Sequence, residues 1–155
     1  MRRAAFLSFA LLLAATAAHA APARFVSQRE GNAYMREGPS YNHRVLWVYK
    51  HKGYPFEVIA RYDVWRRVRA HDGTTGWMSA AMLIDRRNLL VTGRQRAPLY
   101  ADPEPRAKLV AYVMPGATAQ VEACALRFCR VRAPGLKGWI DKDRVWGVGR
   151  DAVFK

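Results

Sequence analysis

The sequence predicts an all-β chain made of two small tandem barrels behind a cleaved signal peptide, and three observations lead there. The stretch Trp65-Arg66-Arg67-Val68-Arg69, closed by Gly76-Trp77, returns 63 positions later as Phe128-Cys129-Arg130-Val131-Arg132, closed by Gly138-Trp139. Short β-rich runs broken by turn residues fill residues 24–84, and no window longer than ten residues keeps a helical period. The first twenty residues read as an export leader rather than as part of any fold.

In that leader Arg2 and Arg3 precede an apolar run, and Ala18-His19-Ala20 supplies the small-x-small pattern that signal peptidase needs. The competing reading is a membrane anchor, but the run is short for a span of about 20 residues. The surroundings of a twin-arginine signal are missing, and no cysteine follows the run as in a lipoprotein. The predicted organisation is residues 1–20 as signal peptide, 21–87 as the first barrel and 88–155 as the second, with no transmembrane span in the mature chain. Mass analysis of the mature N-terminus is expected to find Ala21. Met1 retained in a membrane fraction would overturn export with cleavage.

The 26 Lys+Arg fall to 24 once Arg2 and Arg3 are removed, against 12 Asp+Glu, which leaves the mature chain at +12. Each half carries 12 basic and 6 acidic residues, so the charge is a property of both units and not of one tail. Outside the cytoplasm such a field favours cell-wall polymers, lipopolysaccharide or phospholipid headgroups. A well-solvated basic surface with no specific partner accounts for it equally well. Nucleic acid would be the usual partner at this charge, but the leader sends the chain to the wrong compartment, periplasmic or secreted.

In chain order, turn signals stand at Glu37-Gly38-Pro39-Ser40, Gly53, Tyr62-Asp63 and Asp72-Gly73. Between them, Tyr54–Arg61 alternates so that Phe56, Val58 and Ala60 share one face and Glu57 and Arg61 the other, the period of a half-buried strand. The second half repeats this plan: Leu46 falls on Leu109, Gly53 on Gly116, Val58 on Val121 and Trp65 on Phe128. A unit of this length is a whole small domain, too long for a solenoid repeat. Asp85-Arg86-Arg87-Asn88 is the linker, and its four residues predict units that sit close together.

The segments Ala33-Tyr34-Met35-Arg36-Glu37-Gly38-Pro39, Pro55-Phe56-Glu57-Val58-Ile59, Trp65–Arg69 and Asp72-Gly73-Thr74-Thr75-Gly76-Trp77 resemble the bacterial SH3-like (SH3b) family, in the tandem form of exported proteobacterial proteins. The resemblance is close over residues 24–84 and looser over 88–148, where Leu99-Tyr100-Ala101-Asp102-Pro103 has Asp for the Gly. It implies about five short strands per unit, a cell-wall or peptide-binding role, and no catalysis.

Cys124 and Cys129 flank a tight turn, with Arg61 and Arg66 as their first-unit equivalents. A hairpin with four intervening residues can bring the Cα atoms to the ~5.5 Å a disulfide needs, and an exported chain is free to oxidise. So short a loop should gain about 2 kcal/mol. A zinc site would need four ligands, and a nucleophile a positioned base; the second unit has no histidine. A structural disulfide is the expectation, with no metal and no cofactor.

For ligands, an aromatic and basic set in the first unit stands out. Trp65, Arg67 and Arg69 share a strand face, so Trp65 either covers the barrel end or joins the arginines in a stripe that receives an anionic or peptide ligand. Arginine stems packed over the ring with their heads in water would give the same pattern. The early loop carries Tyr41 and His43, which with Tyr34, Tyr54 and Trp77 could form an aromatic peptide groove. The second unit has fewer such groups, so the first is the expected binder. His43, His51 and His71 lack metal-ligand spacing, and no nucleophile–base or paired-carboxylate arrangement is present. The expectation is a monomeric, non-catalytic module that binds a cell-wall polymer; the alternatives are an envelope protein-protein adaptor or an auxiliary domain for a separately encoded enzyme.

Overall fold

The computed structural model describes residues 24–155, so the predicted leader and its cleavage site lie outside the described residues. The first unit contains β1 (Arg24–Gln28), β2 (Ala33–Arg36), β3 (Val45–Tyr49), β4 (Pro55–Tyr62), β5 (Trp65–Arg69), β6 (Thr75–Ser79) and β7 (Leu83–Ile84). These form one antiparallel sheet in the order β3-β2-β6-β5-β4-β1-β7, with a 3₁₀ turn, Ala80–Met82, ahead of β7. The second unit repeats it with β8 (Asn88–Val91), β9 (Ala97–Tyr100), β10 (Leu109–Val113), β11 (Thr118–Cys124), β12 (Phe128–Ala133), β13 (Leu136–Asp141) and β14 (Val145–Trp146). Its order is β10-β9-β13-β12-β11-β8-β14, with a 3₁₀ turn at Lys142–Arg144. Seven strands per unit exceed the five that the resemblance implies, because the early loop is held by its own ladder, β2 with β3, and β7 is a two-residue strand.

Each sheet curls around its own core. Met35, Phe56, Val68 and Met78 fill the first, and Leu89, Leu99, Val131 and Ile140 the second. Burying each such side chain favours the fold by about 1.5–3 kcal/mol. Gly76 and Gly138 allow β6 to lie close against β2 and β13 close against β9. A Cβ on Gly138 would lie 2.7 Å from the Tyr100 carbonyl oxygen, and one on Gly76 2.9 Å from that of Arg36. That close approach gives the Gly-Trp pair of each repeat its physical reason.

Two sequence-based assignments need correction. Ala60 does not share a face with Phe56 and Val58: the pairing with β5 steps from Val58↔Val68 to Ala60↔Arg67, so Ile59 is a bulge. Beyond it the faces exchange, and Ala60 is exposed while Phe56 is buried. The second correction concerns Leu46, which matches Val110 and not Leu109. Ala33↔Tyr49 in the first unit corresponds to Ala97↔Val113 in the second, a shift of 64. One extra residue between β8 and β9 sets that shift, and a shorter turn before Gly116 restores 63.

The two units touch directly. Buried Asn88 donates from Nδ2 to the Gly53 carbonyl oxygen at 3.1 Å, and Phe25 meets Trp146 edge-on at 5.3 Å between centroids. The C-terminal segment then returns along the second barrel. Cys124 and Phe154 exchange backbone hydrogen bonds of 2.8 and 3.0 Å. Lys142 fixes the same segment: its buried ammonium donates to the carbonyl oxygens of Leu126, Arg150 and Ala152 at 3.0, 3.0 and 2.7 Å. Burial lowers its pKa, against the opposing pull of Asp151. Among the described residues no helix is long and apolar enough to cross a membrane.

Candidate ligand groove

The cysteines are joined. Cys124 and Cys129 face each other across β11 and β12 with Cα atoms 4.0 Å apart. Since Cys124 spends its N–H and C=O on Phe154, its pairing with Cys129 is of the narrow kind without ladder bonds, which brings Cβ atoms close. Both side chains belong to the second core, whereas Arg61 and Arg66 in the first unit are exposed and half-buried.

β5 runs without a bulge against β6, pairing Trp65 with Ser79, Arg67 with Trp77 and Arg69 with Thr75. Strict alternation therefore puts Val68 in the core and Trp65, Arg67, Arg69 and Trp77 on the outer face. Trp65 is nevertheless only 5% exposed, because Tyr41 from the early loop lies over it, edge to face at 4.9 Å. Arg36 holds that loop, donating to the carbonyl oxygens of Tyr41 at 3.0 Å and His43 at 2.8 Å. Its guanidinium also sits 5.5 Å from the Tyr41 ring centroid.

The predicted set is thus only partly brought together. Tyr41, Trp65, Arg67, Arg69 and Trp77 share one surface. Tyr34, two residues before Arg36, lies on the same side of β2, and the His43 ring packs against Gly38 within the loop. Tyr54 is elsewhere: it stacks with Tyr49 and Phe56 at 5.1 and 5.0 Å, and its hydroxyl meets His71 Nδ1 at 2.9 Å. Burial, with Asp72 adding to it, raises its pKa. Arg69 is tied to Glu57 at 2.7 Å. Sequence reasoning missed Arg36 and Ser79, whose hydroxyl lies 3.5 Å from that of Tyr41.

It also passed over the counterpart in the second unit, where a groove of about 470 Å³ opens. Pro98, Tyr100 and Phe128 form its apolar lining, with Tyr100 edge-on to Phe128 at 6.2 Å. Pro105 stands at one wall, the position that Tyr41 holds in the first unit once the 64-residue shift is applied. Tyr100 replaces Arg36, so the clamp on the early loop is gone as well. Charges rim the groove: Arg127 pairs with Asp141 at 2.8 Å, and Asp143 lies 3.6 Å from Arg150. Arg144 adds a further cation to the lining. Both outer-face aromatics are buried, Trp65 against Tyr41 and Phe128 against Tyr100, and in the second unit a groove opens alongside them.

Farther along the outer face, Arg130 is opposite Trp139 and Arg132 opposite Lys137. Glu122, on the bulge of β11, lies within salt-bridge distance of all three cations: 3.2 Å from Arg130, 3.0 Å from Lys137, and in contact with Arg132. Hydrogen bonding from Lys137 first, with Arg132 adding to it, holds the Glu122 carboxyl below the usual glutamate range.

The bacterial SH3 domain is matched twice along the sequence, over residues 29–85 and 93–147. The chain belongs to that family. No curated protein matches it. Among solved structures it is similar to NlpC1 from Trichomonas vaginalis, at 16% identity and a TM-score of 0.38, covering 89% of this chain and 50% of that one. NlpC2 from the same organism gives 16%, 0.36, 80% and 48%. An NlpC/P60 family protein from Bacillus cereus ATCC 10987 gives 15%, 0.37, 79% and 55%. The chain spans about half the length of these proteins, and likeness at this level supports no assignment. What the family membership carries is a tandem pair of bacterial SH3 domains, which are binding modules.

Proposed function

We propose that this is an exported, non-catalytic envelope protein that holds a cell-wall peptide, the stem of peptidoglycan, in the groove of its second barrel. The observation that carries the choice of barrel is the groove of about 470 Å³ beside Tyr100 and Pro98, with Pro105 at its wall where the first unit has Tyr41; the ring beneath it, Phe128, is buried as Trp65 is. An aromatic floor with a rim of both charges suits a peptide, since apolar contact gives affinity and a few polar groups fix orientation. The core disulfide suits an oxidising compartment. An envelope adaptor that takes a protein segment in the same groove is the competing reading.

Co-sedimentation with purified sacculi at 0.1 and 0.5 M salt tests the proposal. At 0.5 M the Debye length is only ~4 Å, so diffuse attraction to a +12 chain fades while groove contacts persist. Tyr100→Ala is expected to weaken binding roughly tenfold at both salts, the usual effect of losing an aromatic contact. Tyr41→Ala removes a side chain that is 63% exposed and should not weaken binding. Binding lost entirely at high salt, or lost with Tyr41→Ala and not with Tyr100→Ala, sinks the second-barrel groove. Failure to sediment with sacculi, together with capture of a specific envelope protein that Tyr100→Ala abolishes, would favour the adaptor.

A further inference from the structure

The outer face of the second barrel does not end at the groove. Phe128, Arg130 and Arg132 alternate along β12 on that side, directly opposite Asp141, Trp139 and Lys137 of β13, and the register has no break. The four-residue step from Phe128 to Arg132 spans roughly 13 Å of extended strand. The groove and the cationic end are therefore two parts of one strip, joined by the Trp139 ring, which has the Arg130 guanidinium 5.8 Å from its centroid.

Charge at that end does not balance. Glu122 brings one negative charge to three positive ones. Its side chain is 14% exposed, whereas those of Arg130, Arg132 and Lys137 are 42%, 61% and 50% exposed. The carboxylate thus lies underneath and gathers the cations, whose side chains stay about half exposed. In the first barrel Glu57 engages Arg69, and Thr75 occupies the place of Lys137. The first barrel's outer face also carries exposed Arg67 beside Arg69, so its excess is one positive charge, against two in the second barrel, the one with the open groove.

We infer that Arg130, Arg132 and Lys137 form an oxyanion subsite continuous with the groove, so that its ligand is an extended chain bearing a carboxylate or phosphate about four residues from the part held at Phe128. Guanidinium groups offer planar paired donors to either oxyanion, and the ammonium adds a third point of attachment. The assignment rests on the groove reading and adds to it the chemical class of the ligand.

The experiment compares Arg132→Gln/Lys137→Gln with Arg94→Gln/Arg106→Gln, two variants with the same change in net charge. Soluble wall fragments, native or with their carboxyls amidated, are titrated into each. Inorganic phosphate is titrated separately, with the Trp139 indole N–H followed by NMR. The subsite predicts about tenfold weaker binding of native fragments by the first variant and at most twofold by the second. It also predicts no difference between the two for amidated fragments, and a phosphate-induced Trp139 shift that only the first variant loses. Equal losses in both variants, with wild type still binding fragments, overturn the subsite and leave the groove reading standing. If wild type ignores fragments yet phosphate shifts Trp139 in a way only the first variant abolishes, the subsite stands and the wall reading fails. A loss that persists after amidation, with no Trp139 response to phosphate, shows that the residues support structure alone and overturns the inference. Native fragments that depend on the pair while phosphate has no effect would assign the subsite to carboxylates.

Discussion

The Cys124→Ser/Cys129→Ser variant is expected to lose about 4 kcal/mol of stability, roughly twice what reduction of the wild-type disulfide removes. The two perturbations differ in what they leave in the core. Reduction frees a short loop, which changes unfolded-state entropy by about 2 kcal/mol, while the thiols remain small apolar groups in the same cavity. Serine loses the same link and also buries two hydroxyls, at sites 3% and 0% exposed, among Leu89, Leu99, Val131 and Ile140. Thermal unfolding should fall by roughly 8 °C on reduction and roughly 16 °C in the variant. Because Cys124 also carries the backbone pairing to Phe154, amide exchange at Phe154 should accelerate in step. Neither cysteine is among the groove's lining residues, so affinity measured well below the transition should change by less than about threefold. Equal melting points for the reduced protein and the serine variant would show that the core does not register the hydroxyls.

The duplication, the all-β class and the pairing of the cysteines were legible because they depend on local pattern and on which strands lie next to each other. The sequence-based stability of about 2 kcal/mol for the cysteine pair counted only loop entropy. Spacing alone does not show that both sulfurs point inward. The bulges were hidden for a similar reason. One extra residue at Ile59 reverses every face beyond it; Ile59 breaks the polarity of the outer face in the sequence, but an apolar residue there does not by itself mark a bulge. The shift at Leu46 came from two changes in turn length that cancel, so a single offset fitted the strands on either side and missed the one between.

The expectation that the first barrel binds counted its aromatics, Tyr41 and Trp65 among them, and the sedimentation experiment decides between the two barrels. In the structure Tyr41 lies over Trp65. In the second barrel the matching position holds Pro105, at the wall of the groove that Tyr100 and Phe128 line. Space is not a residue type, so composition could not reveal it. Aligning the two repeats position by position would have brought Tyr41 and Pro105 together, and that comparison was available in the sequence.

Gly147→Ala should cost 3 kcal/mol or more, about 12 °C of melting temperature, which exceeds the loss for the same change at Gly116. Both glycines have positive φ, +112° and +85°, conformations that L side chains adopt at about 1–2 kcal/mol. They differ in surroundings. A Cβ on Gly116 meets nothing within 4 Å, so Gly116→Ala measures the backbone term alone. A Cβ on Gly147 would lie 2.5 Å from the Asn88 carbonyl oxygen, 2.9 Å from Pro55 Cβ and 3.1 Å from Leu89 Cα. Backbone and a proline ring cannot swing aside as a flexible side chain would. Pro55 belongs to the first barrel and Asn88 opens the second, so relief requires the barrels to part at the joint where Asn88 bonds Gly53 and Trp146 meets Phe25. Parting would expose the Asn88 amide bond to water and loosen Phe25 from Trp146. Calorimetry on the two variants, with amide exchange at Gly53 and Asn88, separates the terms. Losses that match at the two glycines, with Asn88 still protected in Gly147→Ala, would mean that the barrels are not held in close contact there.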